Sequence, residues 1–113
     1  MIFKNFSLSH YMNPETICKQ AAAVARDAGK FIGEERKKFE QANVVEKGQR
    51  NLVSYVDFTA EKMIVQGLRK ILPEAGFLTE EKTVDDGNAS LRWIIDPLDG
   101  TTNFIHGIPV FSV

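Results

Sequence analysis

One hundred and thirteen residues, 43% of them hydrophobic, suffice for one domain with a modest core. Fourteen basic against fifteen acidic residues give a net charge of −1, so the basic footprint of a nucleic-acid binder is missing. No apolar run approaches the roughly 20 residues that span a bilayer, and the single Cys18 cannot close an internal disulfide, so a reducing cytoplasm is the expected compartment.

Residues 1–12 set Phe3, Phe6 and Leu8 among polar residues, without the continuous apolar core of a signal peptide. They read as an unordered leader, with Met12 as the natural initiator and residues 13–113 as the folded portion. Asn13, Pro14 and Glu15 are an N-cap, a first-turn proline and a first-turn acid. The helix they open carries Ile17, Ala21, Val24, Ala25, Ala28, Phe31 and Ile32 at helical spacing and runs to about Phe39. Arg26, Asp27, Lys30, Glu34 and Glu35 are expected to face solvent, and Cys18 to pack within the helix face.

Val44-Val45 is a short strand candidate, followed by a polar turn over residues 46–51. Lys47 in that turn reads as solvated. Ser54 is expected to cap a second helix over residues 55–72, stopped by Pro73. Its buried face is Ala60, Ile64, Leu68 and Ile71; Glu61, Lys62, Arg69 and Lys70 lie outside it. Asp57 falls in the first turn, where an acid complements the helix dipole. Gly76-Phe77-Leu78-Thr79 is a strand ending in the acids Glu80-Glu81, and residues 83–90 form a polar loop, a lid or a plain connector.

The apolar run Trp93-Ile94-Ile95 is a buried strand that also ends in acids, because Pro97 and Gly100 stop it with turn chemistry. Asp96 and Asp99, three residues apart, repel one another unless a cation intervenes. Gly100-Thr101-Thr102-Asn103 then opens a short helix to His106, whose free N–H groups attract an anion. Hard oxygen ligands beside an anion cradle suggest magnesium-assisted phosphate chemistry; a solvated Asp-Pro-x-Asp-Gly turn is the other reading of the same residues. His106 reads as structural. Residues 108–113 begin a further apolar strand.

Lys47, Leu52-Val53, Asp57, Phe77 to Glu81, and above all Asp96-Pro97-Leu98-Asp99-Gly100-Thr101-Thr102-Asn103-Phe104-Ile105-His106 together resemble the inositol monophosphatase family over nearly everything from Asn13 onward. The resemblance implies a magnesium-dependent, lithium-sensitive phosphomonoesterase, usually a homodimer. It also implies an α+β fold, the N-terminal part of a layered sandwich with two helices packed on a mainly antiparallel sheet. Carried over, Glu80, Asp96 and the Leu98 carbonyl hold a first magnesium, and Asp96 bridges to a second ion held by Asp99. Gly100 and Thr101 meet the substrate phosphate through their N–H groups, with Glu80, Leu98 and Asp99 also at the substrate. Asp57 and Thr101 orient the attacking water, Glu80 sharing in catalysis, while Lys47, Glu81 and Thr102 form an outer shell. Two such metals activate water and stabilise the leaving oxygen in line, and phosphoryl transfer needs positioning and charge neutralisation more than a nucleophile on the protein.

Two departures stand out. Thr79 occupies a position where the family commonly has glycine, and the family's second half, with a further carboxylate for the second metal and the residues that select the alcohol, is not in this sequence. A chain of this extent is expected to bind magnesium weakly and to hydrolyse little. The substrate expected is a small phosphate monoester, inositol monophosphate first. Nucleotide bisphosphates, sugar bisphosphates and histidinol phosphate are taken by neighbouring groups of the family, and a non-catalytic role through protein contacts is the reading from another class.

Overall fold

The computed structural model describes residues 13–41, 46–85 and 87–113, with the side chains of residues 40, 41, 46 and 47 left aside. Its order is α1 (Pro14–Gln41), α2 (Glu46–Ile71), β1 (Gly76–Thr79), β2 (Arg92–Ile95) and α3 (Thr101–His106). The expected leader and the Val44-Val45 strand lie outside the described residues.

The start of α1 follows its sequence: the Glu15 N–H donates to Asn13 Oδ1 at 2.8 Å, so the side chain satisfies one of the donors a helix start leaves orphaned. Ala28, Ile32 and Phe39 are buried from its stripe. Two expectations fail on this helix. Glu35 is buried, with its carboxylate bonded to Lys38 Nζ at 2.9 Å, and Cys18 is exposed rather than packed, because the first turns of α1 reach past anything described that could cover them.

Helix α2 begins about nine residues earlier than expected. The polar turn and the Ser54 cap are replaced by helix from Glu46. Glu, Lys, Gln and Arg all propagate a helix well, and Gly48 costs only about 1 kcal/mol there. Burial of Val53 and Val56 in the core offsets that cost. Asp57 therefore stands in the helix interior, away from the favourable dipole end. Close approach of the two helices depends on Gly67: a Cβ there would lie 2.7 and 2.8 Å from the Val24 methyls.

Strands β1 and β2 pair in parallel, Gly76 with Arg92 through Thr79 with Ile95, which corrects the antiparallel pairing expected of the sheet while leaving the α+β class intact. A parallel pair needs a crossover of about a dozen residues, and residues 80–91 supply it. Phe77 and Ile95 point inward onto Ala28, Ile64, Val65 and Leu68; their neighbours Leu78 and Ile94 point out, Ile94 being 80% exposed. A second core of Ile32, Phe39, Val53, Val56, Ala60, Leu98 and Phe104 lies beneath α3. Residues 108–113 add no strand among the described residues, only one antiparallel bridge between Asp99 and Ser112.

Phe104, 0% exposed, meets Phe39 and Phe111 edge to face at centroid distances of 5.8 and 5.5 Å. Phe104→Ala is expected to cost about 3–5 kcal/mol, read as a lowered urea midpoint, whereas Ile94→Ser on the open face is expected to shift stability by less than about 0.5 kcal/mol. Comparable losses in the two variants would place the core elsewhere.

Candidate functional site

Because Thr79 is in register with Ile95 and the strands run the same way, the residues that follow each strand emerge side by side. Those residues are Glu80 and Asp96. The Asp96 carboxylate, within hydrogen-bonding influence of Glu80 and of like charge, holds the Glu80 carboxyl above its ordinary range.

From below, α2 presents Asp57. Burial, followed by the charges of Glu81, Glu80, Asp96 and Glu61, pushes its carboxyl up to about 6 from 3.8. Five carboxylates, from α2 and from the residues that follow β1 and β2, thus bear on one another.

The turn after β2 is anchored by burial and closed by its own polar groups. Pro97 and Leu98 are buried, Leu98 in the core beside Phe104. Asp96 Oδ1 accepts the Leu98 N–H at 3.3 Å, a local turn typical of aspartate. The Leu98 carbonyl accepts the Thr101 hydroxyl at 3.1 Å. Asp99 exchanges two backbone hydrogen bonds with Ser112, at 2.8 and 2.9 Å. Gly100 precedes α3 with φ +91°, and a Cβ on it would meet the Val110 carbonyl at 3.0 Å; both the backbone and the neighbour require glycine here. No side chain caps α3, which leaves its first N–H groups at Thr101 and Thr102 without side-chain partners.

The structure thus brings together Asp57, Glu80, Glu81 and Asp96, and places Leu98, Asp99, Gly100, Thr101 and Thr102 on the turn that follows. Lys47 falls in the first turn of α2 with its side chain outside the described set. His106 is exposed in the last turn of α3, at the far end of that helix from Gly100. The sequence reading missed Glu61, assigned to the solvent face but 0% exposed. Its two oxygens accept the N–H groups of Glu81 at 2.8 Å and Thr83 at 3.0 Å. The signal was there: Glu61 sits three and seven residues before Ile64 and Leu68, inside the apolar stripe.

Every donor gathered here is a hard oxygen, the kind magnesium takes, and the raised carboxyls of Asp57 and Glu80 register a negative charge that a divalent cation would relieve. In donor chemistry and charge the residues fit such an ion. Among the described residues, however, no three His, Cys, Asp or Glu side chains already converge into a coordination shell.

The chain as a whole is similar to known proteins. The sequence model of the inositol monophosphatase family matches residues 13–113. A protein of Aquifex aeolicus named fructose-1,6-bisphosphatase/inositol-1-monophosphatase is 39% identical over 93 residues, 82% of this chain and 35% of its own length. A Pseudomonas aeruginosa protein named Nus factor SuhB is 43% identical over 96 residues, again 82% of this chain and 35% of that protein. The crystal structure of extragenic suppressor protein suhB from Bartonella henselae superposes with a TM-score of 0.65 at 33% identity, covering 85% of this chain and 36% of that one. The chain spans about a third of the length of the curated relatives it matches.

The elevated Asp57 carboxyl sets the sign of a pH effect. A folded-state value near 6 against 3.8 when unfolded means the folded chain holds a proton that the unfolded chain releases, so this group destabilises above about pH 6 and the penalty fades as the pH falls toward 4. In the presence of a chelator the melting temperature is expected to rise between pH 7.5 and 5.5, and Asp57→Asn to flatten the rise. Equal slopes in the two proteins would mean that Asp57 titrates normally.

Proposed function

The chain belongs to the inositol monophosphatase family, and from that premise we propose that it forms the acidic, magnesium-binding part of a phosphomonoesterase whose substrate is inositol monophosphate. The observation that carries the reading is the grouping of Glu80, Glu81, Asp96 and Asp57 within one another's electrostatic reach at one end of a parallel strand pair, with an uncapped helix start following directly.

In this reading Glu80, Asp96 and the Leu98 carbonyl would hold a first magnesium, and Asp96 and Asp99 would serve a second. Bound there, magnesium lowers the pKa of water and neutralises charge on phosphate. The protein's own groups do the rest. The N–H groups of Gly100 and Thr101 receive the phosphate oxygens. Asp57 and the Thr101 hydroxyl orient the attacking water, and Asp57, with a carboxyl near neutrality before a cation arrives, can accept its proton. Burial of Pro97 and Leu98 keeps the turn from yielding as charge builds. Glu81, Lys47 and Thr102 would serve as an outer shell in this reading. Lithium sensitivity, a homodimer and a cytoplasmic setting belong to the same proposal. Among the described residues no helix is long and apolar enough to cross a membrane.

The Aquifex relative's name joins a sugar bisphosphate to inositol monophosphate, so a sugar bisphosphate is the next substrate to try. A second reading has its own footing in the Pseudomonas relative named Nus factor SuhB: a module that acts through protein contacts, in which the acids need no turnover.

Magnesium titrated into the chain at pH 7.5 is expected to raise its melting temperature, by the linkage of binding to folding, and Asp96→Asn to abolish the rise. Whatever slow phosphate release from inositol 1-phosphate the chain sustains is expected to follow the same metal dependence and to be lost in Asp96→Asn. A melting temperature indifferent to magnesium overturns the reading; partner binding retained in Asp96→Asn without any metal-dependent release would favour the interaction module.

A further inference from the structure

Glu61 is a fully buried carboxylate for which the reaction described above has no use. Burying a charge is costly unless hydrogen bonds and partners compensate, and here the neighbouring Glu81, Asp57, Glu80 and Asp96 are charges of the same sign. What the residue obtains is a pair of bonds to backbone groups 20 and 22 residues away, the N–H of Glu81 at 2.8 Å to Oε1 and the N–H of Thr83 at 3.0 Å to Oε2. Between those two N–H groups lies Lys82, with φ +52°, the one non-glycine residue in the left-handed region among those described. A lysine adopts that conformation only when its surroundings hold it there.

A carboxylate is suited to this task in a way an amide is not. Both of its oxygens accept, whereas glutamine offers one acceptor and turns a donor toward the second N–H. Glu61 lies one turn beyond Asp57 on α2, so the two share a helix face. One helix therefore carries both an acid of the cluster and the clamp on the segment that carries the others.

We propose that Glu61 is a positioning residue: by accepting the Glu81 and Thr83 N–H groups it locks the chain reversal at Lys82 and so holds Glu80 and Glu81 against Asp96 and Asp57 in the arrangement that takes the cation. The inference rests on the magnesium-binding reading and adds to it a residue that touches neither metal nor substrate.

The test uses the 113-residue chain, magnesium alone as the probe in calorimetric titration at pH 7.5, and amide hydrogen exchange without metal. Glu61→Gln removes the charge and one acceptor. Glu61→Asp keeps the charge and both oxygens but withdraws them by one methylene. Each is expected to weaken magnesium binding tenfold or more and to lose protection at the Glu81 and Thr83 amides while α2 keeps its own. In the Glu61→Gln background, Lys82→Gly is expected to regain several-fold in affinity over Lys82→Ala, since both remove the amine but only glycine relaxes the left-handed backbone. Should Glu61→Gln fail to fold, Glu61→Asp carries the test.

Wild-type affinity in Glu61→Asp, or equal affinities in the glycine and alanine double variants, would reduce Glu61 to a charge near the site and overturn the positioning role while leaving the phosphatase reading in place. No magnesium uptake by the unaltered chain would overturn the phosphatase reading and this inference with it.

Discussion

The register of one parallel strand pair governs this structure. With Thr79 beside Ile95 and both strands pointing the same way, two acids separated by sixteen positions in the chain become neighbours. An antiparallel pair would have sent them to opposite ends of the sheet, and a slip of β2 by one residue would have turned inward-facing Ile95 to solvent. The same apolar contacts that hold the strands on α1 and α2 therefore fix the relative position of the carboxyls. Hydrophobic burial is non-directional, but through a strand's alternation it acquires direction, and the acids inherit it.

Site and core are continuous elsewhere too. Leu98 is packed against Phe104 in one cluster while its carbonyl accepts the Thr101 hydroxyl. Arg36 of α1 lies over the rings of Phe39 and Phe104, at 5.4 and 5.8 Å from their centroids, a cation–π arrangement that ties the end of the first helix to the turn. Gly100, in the left-handed region, admits the 110–111 backbone closer than a side chain ordinarily lies. The turn that follows β2 is thus a surface feature built on a rigid foundation, with Asp99 fastened to Ser112 on its open side.

Much of this was legible in the sequence. Strand β1 was found at its own bounds and β2 to within one residue, because short apolar runs ended by acids and proline have few other solutions. The cap of α1 announced itself through Asn13 and Pro14. The signature from Asp96 to His106 led to the family that the comparisons bear out, and Asp57, Glu80, Glu81 and Asp96 act on one another electrostatically. The errors share a cause. The start of α2, the mid-helix place of Asp57, the burial of Glu35 and Glu61 and the parallel pairing are all set by contacts between distant segments, and local propensity cannot register them. Glu61 is the sharpest case: its charge argued for solvent, its spacing for the core, and only the strand end twenty residues on explains why the spacing won.

The crossover 80–91 has a thermodynamic side of its own. Closing a segment of that length costs about 2 kcal/mol in chain entropy plus a constant, and in the absence of a cation the closed form also gathers like charges at the strand ends. The helices α1 and α2, by contrast, adhere through apolar faces and the notch at Gly67, with no such penalty. The chain therefore has two levels of cohesion. The helical pair is free of that charge penalty, and the acidic end of the sheet is expected to open first when the chain loosens. A cation taken up between those acids would change little in the helices. It would tighten the least cohesive part of the protein, so that occupancy and local order rise together.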